Sequence, residues 1–153
     1  MKINLENKIA IVTGSTRGIG LAIAKALLQS GATVIISGRS QDRCDEIAHQ
    51  LSQDTAGTVV GIAADIANSD SAKQLVQSTI EQFNRVDILV NNAGITKDNL
   101  ILRLTDDDFN DVITTNLHSV FYTTRAVIRP MLKQKYGKII NISSVVGLIG
   151  NPG

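Results

Sequence analysis

A glycine-rich turn between an apolar run and a helical pattern places the strongest constraint on how this chain folds. The run at residues 9–12 is β-branched and apolar, and residues 19–27 repeat apolar side chains at helical spacing. A buried strand that enters a helix through such a turn exposes free backbone N–H groups and the positive end of a helix dipole. This arrangement predicts a dinucleotide-phosphate site formed by Gly14, Ser15, Thr16, Arg17, Gly18, Ile19 and Gly20.

The three glycines of this turn have different expected roles. Gly14 permits a tight turn, Gly18 lets the backbone approach a phosphate, and Gly20 lets the helix pack closely on the strand. The alternative is a strand–helix turn that uses glycines for geometry alone. The strand before the turn and the helix after it favour the cofactor site.

The rest of the chain alternates short β-branched runs with amphipathic patterns. Strands are predicted at residues 9–12, 33–37, 59–63, 88–90 and 138–142, and helices at 18–29, 42–51, 71–83 and 106–133. Nearly continuous apolar runs indicate strands that are buried on both faces, as in a parallel sheet covered by helices. Right-handed crossovers then predict a doubly wound Rossmann-type α/β sheet in the order 3-2-1-4-5. Because no linker or repeat interrupts the pattern, residues 1–153 are expected to form one dinucleotide-binding domain.

Composition excludes several other classes of protein. With 15 basic and 14 acidic residues, scattered along the chain, no basic surface for nucleic acid is expected. Cys44 is the single cysteine, which rules out an internal disulfide and fits a reducing compartment. No apolar stretch is long enough for a signal peptide or membrane span, so a cytoplasmic location is expected. His49 and His118 have no partners at metal-ligand spacing, and no metal site is predicted.

The predicted long helix carries a polar residue on its apolar stripe. Thr105 and Asp108 have the spacing of a capping pair at its start. Asn116 lies on the stripe seven residues after Phe109, and a buried amide needs hydrogen-bond partners. It either ties the backbone of a neighbouring strand or belongs to an active site. The predicted stripe consists of Phe109, Val112, Ile113, Leu117, Val120 and Phe121.

The turn after the second strand bears on the choice of cofactor. An NAD-binding fold normally places an acidic residue there to bind the ribose 2′-hydroxyl. Here the turn reads Ser37, Gly38, Arg39, Ser40, with no acid. Arg39, together with Arg17 in the glycine loop, would instead bind a 2′-phosphate through charge-assisted hydrogen bonds. The sequence therefore predicts NADP (as NADPH) rather than NAD.

Polar residues also follow the last three strands, at the sheet edge where such folds bind ligands. Asp65, followed by Ile66, either accepts a hydrogen bond from an adenine amino group or caps the next helix. Residues 91–94 (Asn, Asn, Ala, Gly) either hold the strand edge open beside a cofactor or form a turn. Ser144 either donates a hydrogen bond to a substrate carbonyl or is an ordinary turn serine.

Taken together, these residues resemble the short-chain dehydrogenase/reductase family along the whole chain. The family's Thr-Gly-x-x-x-Gly-x-Gly signature matches residues 13–20, and its Asn-Asn-Ala-Gly motif matches residues 91–94. The resemblance implies adenine binding by Asp65 and catalytic roles for Asn116 and Ser144. It also implies cofactor contacts from Ile66, Asn92, Ala93 and Gly94, in a fold of which five of the usual seven strands are present.

Residues 94–100 and 143–147 are most similar to the bacterial branch of the family that reduces 3-oxoacyl groups on acyl carrier protein. The resemblance implies NADPH-dependent ketone reduction in fatty-acid synthesis, with Ser144 polarising the carbonyl and Asn116 holding a water. It implies an acidic carrier protein as partner and a homotetramer as the full-length assembly. Basic residues near the end of the long helix, expected close to Ser144, are candidates for carrier docking: Arg125, Arg129, Lys133 and Lys135.

One family element has no match in these 153 residues. The family's proton donor is a Tyr in a Tyr-x-x-x-Lys motif about a dozen residues beyond the catalytic Ser. Neither Tyr122 nor Tyr136 is followed by Lys at that spacing. The sequence is therefore interpreted as the N-terminal part of a reductase, expected to be inactive as a 153-residue polypeptide. The alternative is a non-catalytic module that binds the nucleotide.

Overall fold

The computed structural model describes residues 3–55 and 57–150. Its strands are β1 (Ile9–Thr13), β2 (Thr33–Gly38), β3 (Val59–Ala63), β4 (Ile88–Asn91) and β5 (Lys138–Asn141). Its α-helices are α1 (Gly18–Gln29), α2 (Gln41–Asp54), α3 (Ser69–Phe83), α4 (Asp106–Ile113), α5 (Ser119–Lys133) and the short α6 (Val146–Ile149). A π turn, Thr114–His118, joins α4 to α5.

The five strands form one parallel sheet in the order β3-β2-β1-β4-β5, which confirms the predicted order. Val12 at the centre of the sheet lies opposite Ile36 on one side and Val90 on the other. Because every strand runs the same way, all five carboxyl ends lie along one edge of the sheet, called here the carboxyl edge. The opposite edge, where the strands begin, is called the amino edge.

Helices cover both faces of this sheet. Helices α1 and α2 bury Ala24, Leu28, Cys44, Ile47 and Leu51 against one face. Helices α3 and α5 bury Leu75, Val76, Val127 and Met131 against the other. This two-sided core explains why β1 and β4 are buried along their whole length. The prediction of fully buried strands is wrong for the two outer strands of the described sheet. Strand β3 is only half-buried along its length, and β5 is largely exposed because only β4 pairs with it among the described residues.

The segment from Asp106 to Lys133 is helical as predicted, but its predicted apolar stripe is wrong. Phe109, Leu117 and Phe121 are each more than half exposed. The buried positions are instead Ser119, Thr123, Val127 and Met131, spaced four residues apart on α5. A π turn holds one extra residue, so every side chain beyond it is rotated by about 100° relative to a regular helix. A stripe extrapolated at constant period therefore selects the wrong face.

The amino edge is held by a buried carboxylate. The Asp87 side chain is fully buried, and its Oδ2 accepts hydrogen bonds from the Ile9 N–H (2.9 Å) and from Arg85 Nε (2.8 Å). Arg85 Nη2 donates to Oδ1 at 2.6 Å, and this pairing raises the pKa of the Arg85 guanidinium. The Asp87 backbone carbonyl also accepts from the Lys138 N–H. Asp87 thus joins the starts of β1, β4 and β5.

Candidate functional site

The carboxyl edge brings the predicted site residues together on five neighbouring segments. The glycine loop follows β1, Arg39 follows β2, and Asp65 follows β3. Gly94 and Ser144 lie beyond β4 and β5. Ligands of doubly wound folds bind at this edge, where the strand order reverses between β1 and β4.

The glycine loop has the geometry that its glycines predict. Gly14 and Gly18 have positive φ angles of 62° and 58°, a backbone conformation that residues other than glycine rarely adopt. A Cβ at Gly14 would lie 2.8 Å from the Ala93 Cα. A Cβ at Gly20 would lie 2.4 Å from the Asn92 Nδ2 and 2.5 Å from the Gly14 carbonyl oxygen. A Cβ at Gly18 would meet open space, so Gly18 faces outward where a ligand can approach.

The start of α1 differs from the starts of the next three helices. Side chains of Ser40, Asn68 and Thr105 accept hydrogen bonds from the first backbone N–H groups of α2, α3 and α4. The residue before α1 is Arg17, which has extended backbone and makes no such bond. Among the residues that the structure describes, the N-terminal N–H groups of α1 therefore have no side-chain acceptor, as expected of a helix that binds an anion.

Ser15 supports the loop from within. Its side chain is fully buried, its hydroxyl donates to the Val12 carbonyl at 2.6 Å, and it accepts from the Ser37 N–H at 2.9 Å. The Ser15 N–H also donates to the Ser37 carbonyl. The Ser15 hydroxyl and N–H thus bridge the loop and β2, and a contact of Ser15 with a cofactor stays a prediction.

The turn after β2 leaves two cations exposed beside the loop. Arg17 and Arg39 are both exposed, and neither forms an ion pair with any other residue that the structure describes. A Cβ at Gly38 would lie 3.0 Å from the Thr16 Cγ2, so the loop and this turn are in contact. Cys44 lies beneath them, and burial raises the pKa of its thiol.

The end of β4 clamps the glycine loop. The Asn92 Nδ2 donates to the carbonyl oxygens of Thr13 (3.0 Å) and Gly14 (3.1 Å). The Thr13 hydroxyl in turn accepts from the N–H groups of Asn92 and Ala93, at 3.0 and 3.1 Å. These contacts fit the interpretation that residues 91–94 hold the strand edge open better than the interpretation that they form a simple turn. Thr13 was not singled out as a site residue, although a polar residue at the end of an apolar strand is a readable signal.

Asp65 does not cap the next helix. The cap of α3 is Asn68, whose Oδ1 accepts from the N–H groups of Asp70 and Ser71. Asp65 is exposed, and its Oδ1 accepts from the Ala67 N–H at 3.2 Å within its own turn. Ile66 beside it is buried. Of the two interpretations from the sequence, the helix cap is wrong and the adenine contact stays a prediction.

Asn116 lies in the π turn and is exposed, so the expectation of a buried amide on a core stripe is wrong. Its Oδ1 accepts from the Ile95 N–H at 2.8 Å, and its Nδ2 donates to the Ile95 carbonyl at 2.9 Å. Asn116 thus binds the backbone of the segment that follows β4. Gly94 is packed against it, since a Cβ there would lie 3.2 Å from the Asn116 Oδ1.

The segment after β4 is also held by charge. Lys97 Nζ lies 3.1 Å from an Asp108 carboxylate oxygen and 3.5 Å from one of Asp111. The pKa of Asp108 is lowered, first by the hydrogen bond from the Thr105 hydroxyl and then by Lys97, while Asp108 raises the pKa of Lys97. The Thr105–Asp108 capping pair predicted from the sequence is confirmed, with the Asp108 N–H donating to the Thr105 hydroxyl.

Ser144 lies just beyond β5, exposed, at the start of the turn into α6. Its Oγ accepts a hydrogen bond from the Val146 N–H at 3.2 Å. Because the oxygen acts as acceptor in that bond, its proton remains available to donate to a second group. This is the chemistry that polarisation of a substrate carbonyl requires.

The basic residues on α5 do not form the single cluster beside Ser144 that was expected. The helix runs antiparallel to the strands, so its C-terminal end lies at the amino edge. There Gln134, between Lys133 and Lys135, donates to the Val86 carbonyl at 2.6 Å. Arg125 lies nearer the carboxyl edge, where it donates to the hydroxyl of Ser69 at the start of α3.

Asn91 was included in the sequence interpretation only within the motif at residues 91–94, and its hydrogen-bond partners were not anticipated. Asn91, at the end of β4, is buried and hydrogen-bonded to side chains of α5 and β5.

Among the residues described, no three His, Cys, Asp or Glu side chains converge as a metal site. No helix in the described part of the chain is long and apolar enough to cross a membrane.

Comparison with known proteins decides the family. The family model of short chain dehydrogenases matches residues 8–153. The chain belongs to the short-chain dehydrogenase family. Two similar relatives are 3-oxoacyl-[acyl-carrier-protein] reductases, one from Synechocystis (45% identical over 150 residues) and one from Escherichia coli (46% over 151). A third, from Vibrio harveyi, bears the same reductase name and is 44% identical over 151 residues.

These alignments cover 97% of this chain for the Synechocystis relative and 99% for the other two. They cover 60% of the length of each relative. The chain therefore matches a part of each relative, and the part includes every segment of the carboxyl edge described above.

Proposed function

We propose that residues 1–153 are the NADP-binding domain of a reductase that converts 3-oxoacyl-[acyl-carrier-protein] to 3-hydroxyacyl-[acyl-carrier-protein] with NADPH. The observation that carries the proposal is the uncapped, glycine-lined start of α1 on the same sheet edge as Ser144. The names of the three relatives supply the substrate class. The place in fatty-acid synthesis comes from the resemblance to the family branch described above. A cytoplasmic location is part of the same proposal and follows from the reducing environment that a lone cysteine fits.

The residues of the carboxyl edge fit a dinucleotide. The loop from Thr16 to Gly20 would hold the pyrophosphate on the N–H groups of α1, with Gly18 facing the open side. Arg17 and Arg39 would bind the 2′-phosphate, because both guanidinium groups are exposed next to the loop. Contacts with the adenine and the rest of the cofactor are assigned to Asp65, Ile66, Asn92, Ala93 and Gly94.

The chain's own chemistry centres on two residues. When bound, NADPH supplies the hydride that the keto carbon accepts. Ser144 donates a hydrogen bond to the keto oxygen and so stabilises the negative charge that develops there. Asn116 holds a water of the proton relay, and its two hydrogen bonds to Ile95 leave one amide proton and one lone pair for that purpose. We assign the proton donor to neither Tyr122 nor Tyr136.

The reaction is tested by following NADPH absorbance in the complete protein with an acetoacetyl thioester and with 3-oxoacyl carrier protein. Turnover of both, with a hydroxyacyl product identified by mass spectrometry, supports the proposal. Tight binding of NADPH with no turnover of any ketone would favour the non-catalytic nucleotide-binding module instead.

Replacing Arg39 with alanine is expected to weaken NADPH binding by about 1–3 kcal/mol, roughly 5-fold to 150-fold in Kd. The physical reason is the loss of a charge-assisted hydrogen bond to the 2′-phosphate. NADH lacks that phosphate, so its Kd should hardly change. Fluorescence titration of both cofactors measures the two values.

Arg43→Ala is the matched control for this variant. Arg43 is also an exposed guanidinium near the start of α2, but it is paired with Glu46 at 2.6 Å. Its removal should leave both cofactor affinities as they are. Equal affinity of the unmodified protein for NADPH and NADH would contradict the proposed specificity.

Charge reversal of Arg125 and Arg129 to glutamate is expected to raise KM for carrier-linked substrate several-fold. Both residues are exposed on α5, nearer the carboxyl edge than Lys133 and Lys135, and an acidic carrier is attracted to cations through long-range electrostatics. KM for a small thioester should not change. Lys25→Glu, on α1 at the other face of the sheet, is the control. Equal losses with both substrates would indicate a damaged site rather than lost docking.

Assembly into a homotetramer belongs to the same proposal. It is supported by apolar side chains of α5 that remain exposed in the single chain, namely Phe121, Ile128 and Leu132. A surface of this kind is typical of protein–protein contacts. Light scattering of the complete protein would give the number of copies.

A further inference from the structure

A polar network fills the space between β4, β5 and α5 directly below the loop that carries Ser144. The Asn91 Nδ2 donates to the Asn141 Oδ1 at 2.8 Å and lies 3.4 Å from the Thr124 hydroxyl. The Asn91 Oδ1 accepts from the Thr123 hydroxyl at 2.7 Å. Asn91 and Thr123 are almost fully buried, at 5% and 1% exposure. Buried amides with both ends paired are costly to disturb, because an end left without a partner has lost its water and gained no hydrogen bond in exchange.

The network lies beside β5, the strand whose register in the sheet is otherwise weakly determined. Strand β5 is four residues long, largely exposed, and paired only with β4 in the described part of the chain. Short exposed strands are prone to slip in register. Asn91 lies directly opposite Asn141 in the ladder, so a slip by one residue would replace the Asn141 amide with an apolar side chain. The buried Asn91 amide would then lose its partner, which penalises a slip by one residue in either direction.

The same network connects the segments that hold the proposed reacting groups. Asn141 precedes Ser144 by three residues on the chain, and Asn91 precedes Gly94 by three. The Thr123 hydroxyl has one proton and two acceptors at similar distance, the Asn91 Oδ1 at 2.7 Å and the Ser119 carbonyl at 2.8 Å. Ser119 is the first residue of α5 after the π turn that contains Asn116. The Asn91 amide is therefore in contact with the supports of both Ser144 and Asn116.

We propose that Asn141 and Thr123 are positioning residues, which act through Asn91 to hold the Ser144 loop in register beside the segment bound by Asn116. Neither residue touches the reacting atoms. The proposal rests on the proposed reductase function for its catalytic consequence, whereas the structural consequence can be measured without any turnover.

The test uses Asn141→Ala and Thr123→Val in the complete protein. Both variants should lower kcat for an acetoacetyl thioester about 10-fold or more, since small misplacements of a catalytic group have effects of that size. The Kd for NADPH should stay within two-fold of the unmodified value, because Asn92, which clamps the glycine loop, keeps its own hydrogen bonds to Thr13 and Gly14 in both variants. Thr123→Ser keeps the hydroxyl and should restore kcat.

Thr79→Val is the matched control for Thr123→Val. Thr79 is equally buried in the same helical layer, but its hydroxyl donates only to the Leu75 carbonyl of its own helix, at 2.8 Å. Both valine variants lose a buried hydroxyl, and only one of them disturbs Asn91. The control should lower the free energy of unfolding without changing kcat of the folded protein.

Amide hydrogen exchange provides the readout that is independent of activity. Exchange over residues 142–147 should rise in Asn141→Ala and Thr123→Val, and it should match the unmodified protein in Thr79→Val and over residues 14–20. Unchanged exchange over 142–147, or raised exchange with unchanged kcat, would overturn the proposal. If the unmodified protein reduces no ketone, the reductase proposal fails, and the exchange data alone decide whether the network holds this loop.

Discussion

Replacing Ser144 with alanine is expected to lower kcat of the complete protein by about 10²–10³-fold, the usual cost of removing one donor to a developing oxyanion. The Ser144 Oγ already accepts a hydrogen bond from the Val146 N–H, so its proton is free to be donated to a second acceptor. The Kd for NADPH should not change, because the residues assigned to the cofactor lie on other strands. Turnover of an acetoacetyl thioester and cofactor fluorescence measure the two effects.

Ser143→Ala is the control for this prediction. Ser143 is equally exposed on the same loop, and no role is assigned to its hydroxyl. Its kcat should remain within about three-fold of the unmodified value, since surface substitutions have small effects. If Ser144→Ala retained most of the activity, the role assigned to Ser144 would be withdrawn.

Replacing Asp87 with alanine is expected to lower the free energy of unfolding by about 3 kcal/mol. The change removes the partner of Arg85 and leaves the Ile9 N–H without its acceptor at the buried start of β1. Arg85 is 41% exposed and can regain water, which keeps the estimate at the lower end for a broken buried pair. Urea unfolding followed by circular dichroism measures the difference.

Two further variants separate the effect of the Asp87 charge from the effect of its burial. Asp87→Asn keeps an acceptor for the Ile9 N–H and removes only the charge, so its loss should be smaller than that of alanine. Asp54→Ala removes a carboxylate that pairs with Lys25 at 3.7 Å on the surface, and such pairs contribute at most about 1 kcal/mol. If Asp54→Ala were as costly as Asp87→Ala, burial would not be the cause of the effect.

The glycine loop shows how a local feature comes to depend on distant residues. The positive φ angles of Gly14 and Gly18 follow from residue type and could be expected from the turn alone. The loop is nevertheless held by Asn92, nearly eighty residues along the chain, which donates to the Thr13 and Gly14 carbonyls. A substitution at Asn92 is thus equivalent to a change in the loop itself.

The sequence by itself determined the features that depend on short-range patterns. The five strands, their order, the glycine turn and the Thr105–Asp108 cap were predicted, and all are found. Hydrophobic periodicity, turn residues and caps act over a few residues, and right-handed crossovers leave few ways to order parallel strands. The grouping of the site residues at the carboxyl edge could be predicted for the same reason, because the polar residues that follow each strand are visible in the sequence.

Only the tertiary structure decided which face each helix buries and which residues meet across the sheet. The π turn rotated α5, so that Thr123 rather than Phe121 is buried, and the direction of α5 carried Lys135 away from Ser144. Asn116 is hydrogen-bonded to Ile95, 21 residues away along the chain, and Asp87 is hydrogen-bonded to Ile9, 78 residues away. Such contacts depend on how the elements pack in three dimensions, and local pattern carries no information about them.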